Sequence, residues 1–468
     1  MTKVALIKSP STYADWYKQP MLGLTYLAAI AESSGYECKV FDAYFNSWTS
    51  QQLVDNVCDY KPDLAGFTAM THEISRSAAI AEEIKKRLHI PMLVGGCHVS
   101  ALPEKTLEEF PVFDYGIYGE GEKTIQELLS SLEKGNSGLS LIKGLAFRDS
   151  DGRIRLNEPR PLLSTEELNN LPFPALHQYY NEAERPLAKP NANYVIMASR
   201  GCPFGCIFCM RVLGDKVRQR SVENVFREME LAREKFGARS FDFLDEIILS
   251  RSDFSLRFLQ KMIDSGLAQK IKWRGSTRVD LVDPETINLA KRSGCYRLGL
   301  GVESGDDAIL KSIGKRITVA QIKNAVKIIH DGGIAICAYF ILGHPNETQE
   351  TIRKTVDLAA RLNTELIAVG IMVPYPGTKI FEMAQKNEGG YRLLSSDWQE
   401  FDKYGGKSLE LKALPYEQLV KWQKKAYLYF YIKNYRFWDL LKIFWEKRKA
   451  VKFFIFNRRS KKGNYEKL

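Results

Sequence analysis

The sequence predicts an α/β protein in three parts. Residues 1–140 form a doubly wound parallel sheet, and residues 193–390 a partial (β/α)6 barrel reached through a linker at 141–192. A mainly helical region at 391–468, rich in basic and aromatic residues, follows. Three observations predict this. Short apolar runs alternate with amphipathic stretches from the N-terminus to about residue 130, and the same β-α rhythm returns at Tyr194 and runs to about residue 385. Between the two, proline and turn residues replace periodicity. At 468 residues the chain exceeds one ordinary domain.

In the first part "KVALIK", "ECKVFDA", "DLAGFTA" and "IPMLVGG" read as strands. "PMLGLTYLAAIAESSG" reads as a helix ending at Gly35, and "TSQQLVDNVCDY" as one capped by Thr49 or Ser50. "ISRSAAIAEEIKKRL" is a third helix, and "FDYGIYGEGEKTIQELLSSLEKG" a strand, a turn and a fourth. Ligands of such sheets sit beyond the carboxyl ends of the strands, here "SPSTY", "FTAMTHE", "GGCHVS" and "YGEGE". In the linker, "DSDGRIRLNEPRPL" has hairpin character, whereas "NNLPFPALHQYY" and "ERPLAKPNAN" are proline-rich. Six strand candidates follow: "YVIMASR", "SFDFLDE", "IKWRGST", "RLGLGVES", "ICAYFIL" and "LIAVGIMV". Six repeats suit an open sheet or a partial barrel. Polar residues just after most strands favour the barrel, because barrel enzymes place their chemistry there.

Composition is that of a soluble globular protein, with 45% apolar and 26% charged residues. No apolar run approaches the roughly 20 residues that span a bilayer. "MTKVALIKSPS" lacks the apolar core and cleavage site of a signal peptide. A cytoplasmic protein with reduced thiols is expected. The net charge of +11 is uneven: from Lys421 onward there are 15 Lys/Arg against 3 Asp/Glu, so the rest is nearly neutral.

Three of the eight cysteines crowd into "SRGCPFGCIFCMR" as Cys202, Cys206 and Cys209, spaced C-x3-C-x2-C. Structural zinc usually joins two short ligand couples, and no second couple exists. Iron–sulfur clusters are held by cysteine thiolates, and a cubane has four irons. Three ligands leave one iron open to a small molecule. Gly201, Pro203 and Gly205 permit the tight turns that wrap such a loop, and Phe208 places a ring beside it.

This loop, after the first strand of six β/α repeats, resembles the radical S-adenosylmethionine superfamily. The resemblance implies a [4Fe-4S] cluster on the three cysteines. Its open iron would chelate the amino and carboxylate groups of S-adenosylmethionine, and one electron would release a 5′-deoxyadenosyl radical. It also implies an external electron donor of flavodoxin or ferredoxin type. Further likenesses assign the cosubstrate's contacts. "FLDE" offers Asp245 and Glu246 to the methionine amino group, and "GSTRVD" offers Ser276 and Arg278 to ribose and carboxylate. Glu303 in "GLGVESGDD" would accept from the ribose hydroxyls. "AYFILGHPNET", with Tyr339, and "VPYPGT" would pack on adenine, near Phe208. Taken singly, Arg278 and Glu303 also suit a structural ion pair, and "PYPGT" a plain turn.

The first part resembles the Rossmann-like cobalamin-binding domain fused to one subfamily of these enzymes, through "QPMLGLTYLAA", "PDLAGFTAMTHE", "VGGCHVSALPE" and "FDYGIYGEGE". The resemblance implies cobalamin at Thr68, Thr71, Gly95, Gly96 and His98, with Glu120 in a turn that could face the partner domain. His98 fits a scaffold residue equally well. Many cobalamin proteins carry Asp-x-His-x-x-Gly after the first strand; here "SPSTYADWYKQP" has no histidine, as is common in this subfamily.

The implied reaction is methylation of an unactivated carbon on a small-molecule or lipid-type substrate. A radical would remove hydrogen, and methylcobalamin would supply the methyl group. Radical cyclisation or oxidative rearrangement fits the same plan. RNA methylthiolation would need a second cluster, for which Cys38, Cys58 and Cys97 lack an arrangement. From a different class, the chain could be a non-catalytic, cluster-bearing regulatory protein. The C-terminal region mixes 13 aromatic residues from Tyr427 onward with its basic excess. Helices packed on the barrel and a helix lying on a membrane both suit that pattern; nucleic acid is not the expected partner.

Overall fold

A computed structural model describes residues 2–10, 18–189, 192–403 and 405–439. The first sheet has the order β2-β1-β3-β4-β5-β6-β7. Strands β1 (Lys3–Lys8), β2 (Glu37–Asp42), β3 (Leu64–Thr68), β4 (Met92–Gly95) and β5 (Tyr115–Ile117) are parallel. Their order reverses at β1, so crossover helices cover both faces. Leu22–Ser33 and Glu122–Glu133 pack with one apolar core, Ser50–Tyr60 and Ile74–Leu88 with another. Thr49 caps helix Ser50–Tyr60: its hydroxyl accepts from Gln52 N at 3.2 Å, and Gln52 Oε1 accepts from Thr49 N at 2.9 Å. The loop read as lacking a histidine lies, at 11–17, outside the described residues.

The stretch expected as linker does more than connect. β6 (Leu145–Arg148) and β7 (Ile154–Leu156) form an antiparallel hairpin that extends the first sheet. The β7 edge is largely exposed, so it carries little apolar signal. Farther on, Gln178 straps the β2 edge, accepting from Val40 N at 3.1 Å and donating to Cys38 O at 2.9 Å.

The second sheet is wholly parallel and sequential, β15-β14-β13-β12-β11-β8. β8 is Tyr194–Ile196; β9 (Ser199–Arg200) and β10 (Arg218–Gln219) form a short antiparallel ribbon beside it. β11 is Ser240–Phe243, β12 Lys272–Thr277, β13 Cys295–Glu303, β14 Ala335–Leu342 and β15 Leu366–Ile371. Winding one way puts every helix outside, as in a barrel. Leu298, Leu300, Ile336, Ala338 and Phe340 accordingly join one outer core, while Arg297, Gly299, Cys337 and Tyr339 alternate with them toward the lumen. The first domain closes the β8 side, where Leu22 and Tyr26 pack on Val195.

The C-terminal region binds both halves. Its hairpin, β16 (Tyr391–Leu393) and β17 (Leu409–Leu411), adjoins the barrel core. Trp398 and Phe401 enter a core of the first domain, and Trp398 Nε1 donates to Glu109 Oε2 at 2.6 Å. Helix Tyr416–Lys433 covers the β15 edge: Val369 N donates to Tyr427 Oη at 3.0 Å, and Gln423 Nε2 to Val369 O at 2.8 Å. Packing on the barrel thus accounts for this helix's inner face. Leu428, Ile432, Tyr435, Phe437 and Trp438 remain exposed; residues 440–468 lie outside the described residues. No helix among the described residues is long and apolar enough to cross a membrane.

Candidate active site

The cysteine loop leaves the barrel after β8, framed by the β9–β10 ribbon. Gly201 has φ +92°, and a Cβ there would collide with the Lys216 carbonyl oxygen, so only glycine fits. Cys202 N donates to Gly214 O at 3.2 Å, and Cys209 N to Cys206 O at 3.1 Å. Ile207 is clamped from two helices: its N donates to Ile313 O, at the end of helix Asp307–Ser312, at 3.1 Å, and its O accepts from Ile380 N, in helix Lys379–Gln385, at 3.3 Å. Gly314 (φ +74°) abuts the loop so closely that a Cβ would lie 2.8 Å from Gly205 O. Burial, with Cys206, Cys202, Glu246 and Glu303 nearby, pushes the Cys209 thiol up to about 11. A thiol held neutral by burial, as Cys209 is, becomes a ligand when a metal group supplies positive charge. Among the described residues, no three His, Cys, Asp or Glu side chains converge as single-ion ligands. A four-iron cluster, which spreads its thiolates farther apart, suits the loop better than zinc.

Arg278 lies under this loop. Its guanidinium stacks 3.5 Å from the Phe204 ring centroid, and Nη1 reaches Cys206 Sγ at 3.9 Å. Nε pairs with Asp280 Oδ1 at 2.9 Å, and Nη2 donates to Lys315 O at 2.9 Å. Arg278, expected at ribose and carboxylate, thus stands against the loop, held in place by Asp280 and the Lys315 carbonyl. Asp245 stands at the entry to the loop. Its buried carboxylate accepts from Ala198 N at 3.0 Å and Ser199 Oγ at 2.5 Å, holding the strand that leads into the loop. Burial pushes its pKa up to about 6. Glu246 is exposed at the rim.

Glu303, read as a ribose acceptor, pairs at 3.1 Å with Lys315 Nζ in a buried ion pair. It ends β13 with φ +67°, a conformation unusual for a side chain of this kind and typical of functional positions. The lumen brings several expected residues together. A Cβ on Gly299 would lie 2.8 Å from Tyr339 Cε2 and 2.9 Å from Ser276 Oγ. Phe208 packs half-buried against the barrel core, 6.1 Å from His344.

In the first domain, Thr68 and Gly95 are register partners at the ends of β3 and β4, and Gly96 (φ +104°) follows. A Cβ on Gly96 would lie 2.7 Å from Ala69 O. Thr71 is buried beside them. His98 is fully buried, 4.9 Å from the Trp398 ring, and neither ring nitrogen has a partner among the described residues. Burial lowers its pKa to about 4, so the imidazole is neutral. Glu120, read in a turn that could face the partner domain, does face it. It accepts from Arg200 Nη1 at 2.9 Å, Arg218 Nη1 at 2.8 Å and Leu163 N at 2.6 Å. Arg200 Nη2 also meets Glu122 at 2.6 Å. This buried network joins the first domain to the residue just before Gly201.

A cleft of about 570 Å³ separates the two strand-end surfaces. Ser100, Ala101, Tyr118 and Gly119 line it from the first domain, and residues 205–207 and 209–212 of the cysteine loop, with Gly377 and Lys379, from the barrel. Cys206 and Cys209 are among the lining residues. Ser100, Tyr118 and Gly119 lie in "GGCHVS" and "YGEGE", the strand ends where the sequence places a ligand, whereas sequence reasoning missed Lys379. Gly377 (φ +80°), in "PYPGT", would place a Cβ 3.2 Å from Ala101 Cβ, so this turn is also a point of domain contact.

A three-thiolate loop at a barrel mouth, facing the strand ends of a doubly wound domain, defines an α/β enzyme that works with a metal cluster and a second large cofactor. Comparison with known proteins gives the family. Residues 196–359 match the radical SAM superfamily, and residues 17–129 the B12 binding domain. An uncharacterised methyltransferase of Pyrococcus horikoshii is 33% identical over 423 residues, covering 88% of each chain. The anaerobic magnesium-protoporphyrin IX monomethyl ester cyclase of Rubrivivax gelatinosus is 27% identical over 373 residues, 78% of this chain and 66% of that one. The radical S-adenosylmethionine methyltransferase TsrM of Kitasatospora setae, solved with cobalamin and a [4Fe-4S] cluster, shares the fold. Its TM-score is 0.72 at 18% identity, over 92% of this chain and 89% of that one. The chain belongs to the radical SAM superfamily, in the branch that carries a B12 binding domain. Its cofactors are a [4Fe-4S] cluster, S-adenosylmethionine and cobalamin.

Proposed function

We propose that this enzyme methylates an unactivated carbon of a small-molecule or lipid-type substrate. The observation that carries the reading is the shared cleft, which brings the cluster cysteines and the first domain's strand ends to one space. When bound, the cofactors supply a radical initiator and a methyl donor. The protein's part is to hold and to exclude. Cys202, Cys206 and Cys209 would bind the cluster and leave one iron free. Arg278 and the two clamps on Ile207 fix that loop. Ser276 and Tyr339, together in the lumen, are placed for the adenosyl group of S-adenosylmethionine, and Glu246 at the rim for its amino group. Thr68, Gly95 and Gly96 would take the corrin at the end of the first sheet, and Gly119 opens on the same side. The tight domain contact at Gly377 limits water near the reaction.

The cyclase relative keeps cyclisation as the second reading. The experiment is anaerobic reconstitution with S-adenosylmethionine, cobalamin and a flavodoxin- or ferredoxin-type electron donor. Formation of 5′-deoxyadenosine supports catalysis, and its absence would support a regulatory role. A product heavier by one methyl group supports transfer; loss of hydrogen or gain of oxygen supports cyclisation or rearrangement.

A cytoplasmic setting with contact at the membrane surface fits the C-terminal region. Exposed Lys421, Lys425, Leu428 and Ile432 share one helix face, opposite the face docked on the barrel. Serine at Leu428, Ile432 and Trp438 together should weaken binding to anionic liposomes. Unchanged binding would remove membrane contact from the reading.

A further inference from the structure

The lumen has a floor as well as a rim. Across β11, β12 and β13, Asp242, Arg274 and Arg297 are successive register partners and form one inward row. Like charges on directly opposite strand positions repel, so two adjacent arginines need compensation. Arg274 has it, in an ion pair with Asp242. Asp242 is also held by Gln19 Nε2 at 3.1 Å, which brings the first domain to this row. Arg297 has no such partner: among the described residues no carboxylate lies within 4.0 Å of it. Its guanidinium is 5.6 Å from the Tyr296 ring, and Lys272 Nζ lies 5.2 Å from the same ring. Arg274, Arg297 and Lys272 therefore lie close together at this end of the barrel, and Asp242 is paired with Arg274.

The row above is built to stay open. It holds Ser276, Gly299 and Cys337, three small residues. Tyr339 leans over Gly299 and is still 41% exposed, so the lumen is accessible at that depth. Both arginines bear electrostatically on Cys337 and Tyr339, which places their charge toward the lumen.

We propose that Arg297, backed by Arg274 and Lys272, binds an oxyanion of the substrate, a phosphate or a carboxylate, at the floor of the barrel. A guanidinium presents paired N–H donors that match both groups. Arg297 lies six residues before Glu303, up to about 20 Å along the strand. An anion held there anchors one end of a substrate while another part reaches the rim. S-adenosylmethionine bound at the cysteine loop would keep its own carboxylate there and leave the floor for the second reactant. The proposal rests on the catalytic reading of this barrel and adds the charge of its substrate.

The test is calorimetric titration of the full-length, cluster-reconstituted enzyme with phenyl phosphate and with benzoate, using benzamide as the uncharged control. One anion should bind saturably, and benzamide should not. Arg297→Gln should raise that Kd about tenfold or more, the loss expected for a charge-assisted pair. Arg297→Lys should raise it less, and it carries the comparison if the glutamine variant fails to fold. Lys327→Gln, on the outer surface, should leave it unchanged. Which anion binds distinguishes phosphate from carboxylate. Equal Kd in wild type and the Arg297 variants, or no binding of either anion, would overturn the proposal. Absence of 5′-deoxyadenosine from the wild type would instead defeat the catalytic reading, whatever the titrations show.

Discussion

The two sheets are built from the same β/α repeat and end with opposite interiors. In the first, the order turns back at β1, and apolar side chains cover both faces: Val4, Ala5, Leu6 and Ile7 are each at most 1% exposed. In the second, the order never reverses. Leu298 and Leu300 face the outer core, while the residues between them, Arg297, Gly299 and Gly301, face a lumen. Winding direction, more than composition, decides where a ligand fits. A reversing sheet offers a crevice at its strand ends, and a sheet wound one way offers an interior. The two sites meet at one cleft because both domains direct their strand ends toward it.

This contrast is open to attack by mutation. The largest effect is expected in the cysteine loop. Cys202→Ala, Cys206→Ala or Cys209→Ala should abolish the cluster's visible absorbance and 5′-deoxyadenosine formation. Cys295→Ala, in the outer core of the same barrel, should preserve both. Next comes the joint between the sheets. Glu120→Ala leaves Arg200 and Arg218 without their shared carboxylate and should cost about 3–5 kcal/mol in denaturant unfolding. Glu158→Ala breaks only an exposed pair with Lys143 and should cost less than about 1 kcal/mol. Similar losses from both would dissolve the distinction between joint and surface.

A smaller effect concerns pH. The pKa of Asp245 is raised from 3.8 to about 6 by burial. The protonated carboxyl therefore favours the folded state. Its contribution is full below pH 3.8, declines as pH rises, and is gone above about 6. Asp245→Asn should remove this slope from denaturant unfolding curves measured across that window. A slope that persists would place the titrating group elsewhere. Smallest is Tyr427→Phe, which strips one acceptor from the covered β15 edge and should lower stability by about 1 kcal/mol. No change would mean that Gln423 alone secures the edge.

Local signals made most of the fold legible. Apolar runs marked all six barrel strands, and Thr49 marked its helix start. Hairpin β6–β7 was read from its turn residues, but its pairing with β5 at the edge of the first sheet was not, because no local pattern carries it. The cysteines were legible for a similar reason: spacing within one loop is a sequence property. Glu120 was not, since its partners Arg200 and Arg218 are distant in sequence and only the folded chain brings them together. The same holds for Arg278 and Phe204. Nor does sequence show that Glu303 takes a positive φ, because no residue type announces it. The floor row of Asp242, Arg274 and Arg297 needed strand register, which a single chain of letters does not contain.

Arg200 stands two residues before the first cluster cysteine and is held by Glu120 and Glu122 of the other domain. The foundation of the barrel's reactive loop is thus laid partly in foreign ground. The halves are therefore poor modules for recombination. A chimaera that gives this barrel a new N-terminal domain inherits an uncompensated arginine beside its cysteines unless the incoming turn carries acids equivalent to positions 120 and 122.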